Sequence, residues 1–147
     1  MTTPDDRLAT PVPGSEWCFG CGTENPFGLR PRFRRTGQGV EAEFVARPEH
    51  QGFRGLVQGG IQAAMLDEVM AHALWAQGVF AVTGRLEVVF RKPTPIETPL
   101  RAVAEVLECE GRKYMLRAWL ALPDGSRTVE GSGTFVELPE GHFGRTD

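Results

Sequence analysis

The stretch "GLVQGGIQAAMLDEVM", residues 55–70, decides how the chain is read. From Ile61 onward it is rich in good helix formers, and the pattern continues as "IQAAMLDEVMAHALWAQG" with no internal Gly or Pro until Gly78. This predicts one long helix over 61–78, opened by the glycine pair Gly59–Gly60. At about 100° per residue, apolar side chains point in nearly every direction. A helix apolar all round is buried on most sides. One sheet covers one face, so the remainder asks for a second cover, and another copy of the chain is the simplest. Glu68 and His72, four apart, are expected to pair at a solvent-facing rim. Asp67 sits differently. Its neighbours at three and four residues are Ala63, Ala64, Met70 and Ala71. A carboxylate on that small apolar surface is either satisfied by a local donor or tuned for acid–base chemistry.

Gly59 and Gly60 let a ligand approach the backbone, and the first amides of a helix are free donors at its positive end. Such donors suit a developing oxyanion. Gly59 and Asp67 are eight residues apart, about 12 Å along a helix axis. One carbonyl cannot touch both in the same chain. If they act together, Asp67 comes from one copy and the Gly59–Gly60 amides from another, with two antiparallel helices across a two-fold axis.

Outward from the helix, "LRPRFRR" (29–35) and "VEAEFVA" (40–46) alternate around "TGQG" and read as a hairpin, with Pro31 at an edge or bulge. Four strands follow the helix, over 82–95, 99–110, 112–123 and 126–139, read as an antiparallel meander. Gly131 and Gly133 in the last imply a bulge or a close backbone approach. The order is β-β-α-β-β-β-β, an α+β domain with one helix against a curved antiparallel sheet. Residues 1–16 read as a flexible leader, 17–138 as one domain, and 139–147 as a tail.

The 147 residues suit a single domain. The net charge of −3 comes without any block of like charge, which argues against nucleic acid. The N-terminus lacks the charged and apolar regions of a signal peptide, and no apolar run of about 18 residues spans a membrane. Three cysteines, Cys18, Cys21 and Cys109, do not make a secreted disulfide framework, so a cytoplasmic protein is expected. "CFGCG" lacks the second Cys pair of a zinc ribbon and the βαβ context of a thioredoxin site, so structural packing and no metal are expected. His50, His72 and His142 have no ligand spacing. His50, in the loop before the glycines, lines the site or holds the loop. Arg91 and Lys92 are candidates for phosphate contacts, as are Arg112 and Lys113.

"CFGCGTENPFGLRPRF", "HQGFRGLVQGGIQAAMLDEVMAHAL", "VTGRLEVVFRKPTPIETPL" and "GSGTFVEL" together resemble the hotdog-fold thioesterase superfamily, on its PaaI-like and THEM4-like acyl-CoA thioesterase side. The likeness runs over about residues 17–138. It implies a dimer or dimer of dimers with sheets joined edge to edge, and hydrolysis of acyl-CoA between subunits. No cofactor is implied beyond the CoA of the substrate. The family motif is His-Gly-Gly with an acid nine residues after the His, often completed by Ser or Thr sixteen residues later. Here those positions hold Gln58, Gly59, Gly60, Asp67 and Thr83. The resemblance makes Asp67 the base or nucleophile. A Gly59 or Gly60 amide polarises the carbonyl, and Thr83 holds the water or the carboxylate. Ala63, Ala64 and Met70 line the acyl pocket. Gln58 departs from the pattern, because glutamine donates a hydrogen bond but carries no charge. That leaves a non-catalytic acyl-CoA binder as the alternative. A hotdog dehydratase fits less well, since it uses a His near the helix.

Overall fold

A computed structural model describes residues 7–8 and 12–139. His142 and residues 140–147 of the expected tail lie outside it, as do residues 1–6 and 9–11 of the expected leader. The elements are β1 (Arg32–Arg35), β2 (Gly39–Val45), a 3₁₀ turn (Pro48–His50), α1 (Gly59–Trp75), β3 (Ala81–Phe90), β4 (Pro99–Glu110), β5 (Lys113–Ala121) and β6 (Arg127–Glu137). The six strands form one antiparallel sheet in the order β1-β2-β4-β5-β6-β3, and α1 packs against it. This is the hotdog architecture expected from the element order.

The helix starts two residues earlier than expected. Gly59 and Gly60 lie in its first turn rather than before it. It ends at Trp75. Gly78 adopts φ +78°, and the Val79 amide returns to the Leu74 carbonyl at 3.0 Å, a glycine-dependent stop. Met65, Leu66, Val69, Met70, Ala73 and Leu74 are fully buried against the sheet. Each large side chain so buried contributes roughly 1.5–3 kcal/mol. Gly131 and Gly133 make room for this packing. A Cβ on Gly131 would stand 2.9 Å from Leu66 Cδ1, and one on Gly133 would stand 3.1 Å from Met70 Cε and Sδ. Of the two expectations for these glycines, close approach is what is found. The register shifts fall elsewhere: between Thr83 and Arg85 in β3, between Val106 and Glu108 in β4, and where Leu120 and Ala121 of β5 pair with Val129 and Arg127 of β6.

The four-strand meander needs correction. β4, β5 and β6 follow one another, but β3 pairs with β6 at the far edge and β4 pairs with β2. The segment between β3 and β4 carries Pro93 and Pro95 and cannot form a hairpin. It crosses over and bonds to the loop before the helix, through Val57 N–H to the Thr94 carbonyl (2.8 Å) and Ile96 N–H to the Gly55 carbonyl (3.0 Å). The leader is also partly packed. Arg7 bridges Arg34 beside β1, and the Leu8 amide donates to the Phe33 carbonyl at 3.1 Å.

Candidate active site

Gln58 caps α1. Its backbone is extended (φ −61°, ψ 137°), and its Oε1 accepts from the Ile61 amide at 2.9 Å. A Cβ on Gly60 would stand 2.9 Å from that oxygen, so glycine there leaves the capping side chain undisturbed. Among the described residues neither the Gly59 nor the Gly60 amide has an acceptor. Two donors thus face outward at the positive end of a 17-residue helix. They border a cavity of about 730 Å³ lined by Phe53, Gln58, Gly59, Phe90, Arg91 and Lys92 among others. Arg91 is paired with Glu130 at 3.3 Å, and Lys92 Nζ donates to Ser126 Oγ at 2.6 Å. Both cations are exposed.

Asp67 lies two turns further along the same helix, half-buried. Thr83 on β3 donates from Oγ1 to Asp67 Oδ1 at 2.5 Å. Together they stand at a second cavity, of about 460 Å³, whose apolar wall includes Ala71, Trp75, Val79, Phe80 and Phe135. The helix between Gly59 and Asp67 is uninterrupted, so the amides and the carboxylate stay about 12 Å apart in one chain. Ala63 and Ala64 are half-buried on the helix between these two points.

Two expected substrate contacts are corrected. Met70 is fully buried and turned into the sheet beside Gly133, so it cannot line an acyl pocket. His50 is also fully buried, and all its polar groups are used. The Arg47 amide donates to Nδ1 (3.0 Å), Nε2–H donates to the Phe27 carbonyl (2.7 Å), and the His50 carbonyl accepts from the Gln58 amide (3.0 Å). His50 therefore ties the loop to the helix cap and has no polar atom left over for a substrate.

The solvent-facing rim expected of Glu68 and His72 is not solvent-facing. The side chains are 14% and 4% exposed, 3.4 Å apart, and His72 stacks on Phe33. Burial pushes the Glu68 carboxyl up to about 7 and His72 down to about 4. Glu68 also meets the N-terminal segment, with Cys18 Sγ 3.6 Å from its Oε2. The neighbouring Cys21 thiol, with the amides of Cys21 and Gly20, holds Cys18 down to about 5, while Cys18 and burial push Cys21 up. Sequence reasoning missed this junction, because fifty residues separate Cys18 from Glu68. The one available signal was Gly20, which yields only to the Glu68 side chain, 2.4 Å from where a Cβ would sit. A second missed contact is Thr94 Oγ1 to Gln62 Oε1 (2.7 Å), with Gln62 Nε2 on the Val57 carbonyl (2.8 Å); it anchors the first turn of α1.

The chain is similar to known proteins of one class. The thioesterase superfamily model matches residues 54–117, which hold the cap, both glycines, Asp67 and Thr83. Acyl-coenzyme A thioesterase THEM4 of Mus musculus is 26% identical over 89 residues, 60% of this chain and 38% of that protein. The chain thus spans well under half the length of that curated relative. A solved thioesterase superfamily protein matches at 27% identity and TM-score 0.76, over 80% of this chain and 62% of that one. A Bacillus halodurans protein solved with CoA matches at 29% identity and TM-score 0.62, over 67% of this chain and 66% of that one. These findings support the resemblance read from the sequence: the chain has the hotdog fold and is similar to proteins of the thioesterase superfamily.

Proposed function

We propose that the chain is a thioester hydrolase that cleaves a small or medium acyl-CoA at a site shared by two copies. One observation carries this reading. A carboxylate held by Thr83 borders an apolar cavity, while unsatisfied helix-start amides wait about 12 Å away on the same rigid helix. Two copies related by a two-fold axis bring Asp67 of one to Gly59–Gly60 of the other. The edge strand β3 supports such pairing. It is ten residues long, outermost in the sheet, and carries exposed Val82, Val89 and Phe90. A long apolar edge is normally covered.

In the paired site the thioester oxygen accepts from a glycine amide, which stabilises the oxyanion. Asp67 removes a proton from water, whose oxygen attacks the carbonyl carbon, or its carboxylate attacks first and water then opens the anhydride. On either route the C–S bond breaks, its electron pair leaves with sulfur, and a proton yields free CoA. The acyl chain runs along Ala63, Ala64 and Ala71 into the cavity. Arg91 and Lys92 supply cations for the CoA phosphates by exchanging their weak surface partners. The protein acts in the cytoplasm as a dimer or dimer of dimers, without nucleic acid. Among the described residues no helix is long and apolar enough to cross a membrane.

A panel of short, medium, long and aromatic acyl-CoAs tests this by release of free thiol. Turnover of at least one member is expected, lost in Asp67→Asn with the fold intact. Silence across the panel would defeat the enzyme. Gln58 favours a second reading: its oxygen is committed to the Ile61 amide and it carries no charge. Tight acyl-CoA binding without turnover would support a binding protein.

A further inference from the structure

The "CFGCG" turn is not absorbed by the thioesterase reading, yet it is built with care. Gly22 closes it, because a Cβ there would stand 2.4 Å from the Glu16 carbonyl and 2.5 Å from the Cys18 nitrogen. Its amide bonds to the Cys18 carbonyl at 2.9 Å. Gly20 has no side chain, and the carboxylate of Glu68 occupies the space one would fill.

The result is a three-atom constellation. Cys18 Sγ, Cys21 Sγ and a Glu68 oxygen all lie within 4.8 Å of one another. Cys21 is buried, and Glu68 largely so. Among the described residues no arginine or lysine pairs with Glu68; its partners are the Cys18 sulfur and His72. A carboxylate without a counter-cation is costly to bury. Their spacing is that of ligands. Tetrahedral zinc, with Zn–S near 2.3 Å and Zn–O near 2.0 Å, separates a sulfur from an oxygen ligand by about 3.5 Å. Cys18 Sγ and Glu68 Oε2 are 3.6 Å apart.

We propose that Cys18, Cys21 and Glu68 bind one thiophilic divalent cation of the zinc class, pinning the N-terminal segment to α1 beside Asp67. The two thiols lose their protons, the carboxylate is ionised, and the fourth position is left to water on the cavity side. His72 Nδ1, 3.4 Å from Glu68 Oε1, supports the carboxylate from behind. Glu68 stands in for the second Cys pair whose absence spoke against zinc in the sequence. The site is independent of the thioesterase reading, since its readouts need no turnover.

The test uses the full reduced chain, purified without chelator and then titrated with cobalt(II) as the probe. One cobalt per chain is expected, with a thiolate-to-metal charge-transfer band that zinc displaces. Cys109→Ser is expected to keep the band and Cys21→Ser to lose most of it. Glu68→Gln should weaken binding at least tenfold, since even outer partners of a metal ligand shift affinity by about 10- to 100-fold. Circular dichroism establishes that each variant is folded. Should Cys21→Ser not fold, Glu68→Gln carries the test alone. The proposal is overturned by the absence of a thiolate band in folded, reduced protein, or by undiminished binding in Glu68→Gln. A Cys18–Cys21 disulfide that gives no cobalt band after reduction also overturns it, and would point to a redox pair.

Discussion

Asp67 depends on one short hydrogen bond from Thr83, so the two should fail by different amounts. Asp67→Asn keeps the shape but loses the basic oxygen, and kcat should drop roughly 10²- to 10⁴-fold. Thr83→Ala leaves the carboxylate but frees its orientation. A loss of roughly 10- to 100-fold follows from removing a hydrogen bond to a charged group. Steady-state thiol release measures both, and equal losses would contradict the division of roles. His72 predicts a pH effect. Burial lowers its folded-state pKa to about 4 from 6.5, so the unfolded chain takes up a proton first. Stability is therefore unaffected above pH 6.5 and is lost as pH falls from there toward 4, by up to about 3 kcal/mol. Glu68 runs the other way. Its carboxyl, raised by burial to about 7 from 4.5, costs stability as pH rises through that window. Between about pH 4.5 and 6.5 the two slopes oppose each other and nearly cancel, so urea unfolding of chelator-treated protein should change little there, and His72→Gln should uncover the Glu68 loss as pH rises.

At the scale of elements, α1 and β6 interlock through glycine. Adding a methyl at Gly131 would place it 2.8 Å from the Glu87 carbonyl oxygen on β3 and 2.9 Å from Leu66. The backbone cannot yield as a side-chain tip can. Gly131→Ala should cost about 1–3 kcal/mol, read as a lower melting temperature with no change in secondary structure. The helix was legible in the sequence because residues 61–75 hold a helical pattern free of Gly and Pro. β4 was legible to the residue because turn signals and prolines bracket it. The place of β3 was not legible. Alternation marks a strand but not its neighbour, and only the crossover through Thr94 and Ile96 separates β3 from β4. The candidate site divides in the same way. Asp67 and the glycine pair stood out by their places on the helix, and Thr83 by the family resemblance; the structure brings Thr83 to Asp67. The burial of His50 and Met70 was not, since it depends on Phe27 and Gly133, far along the chain.

The whole molecule is proposed to be a half-site at each end, and this allows a complementation test. Gly59 is the first residue of the helix, and Gln58 before it is extended, a setting that proline tolerates. A Cβ there meets only the Phe90 ring at an ordinary 3.6 Å. Gly59→Pro therefore deletes one amide without breaking α1. That variant and Asp67→Asn should each be inactive alone. Mixed and re-associated, they should recover about one quarter of native activity, because half the pairs are hybrids with one intact site of two. No recovery, despite hybrid formation by mass spectrometry, would place the amides and Asp67 in separate functions. Val82→Lys with Val89→Lys puts charge on the exposed edge and should shift light scattering toward monomer, with activity falling in step.

The outermost position of β3 also sets an order of assembly. β3 leaves the helix directly, but its partner is β6, so β4 and β5 must both be made before Ala81 can meet Glu137 or Phe90 can meet Val129. Such distant pairings form late. While the chain grows, Thr83 has no strand to hold it against Asp67, and the apolar edge does not yet exist as an edge. The surface most prone to stray association is thus created in one of the last steps of folding, when the rest of the sheet is already closed.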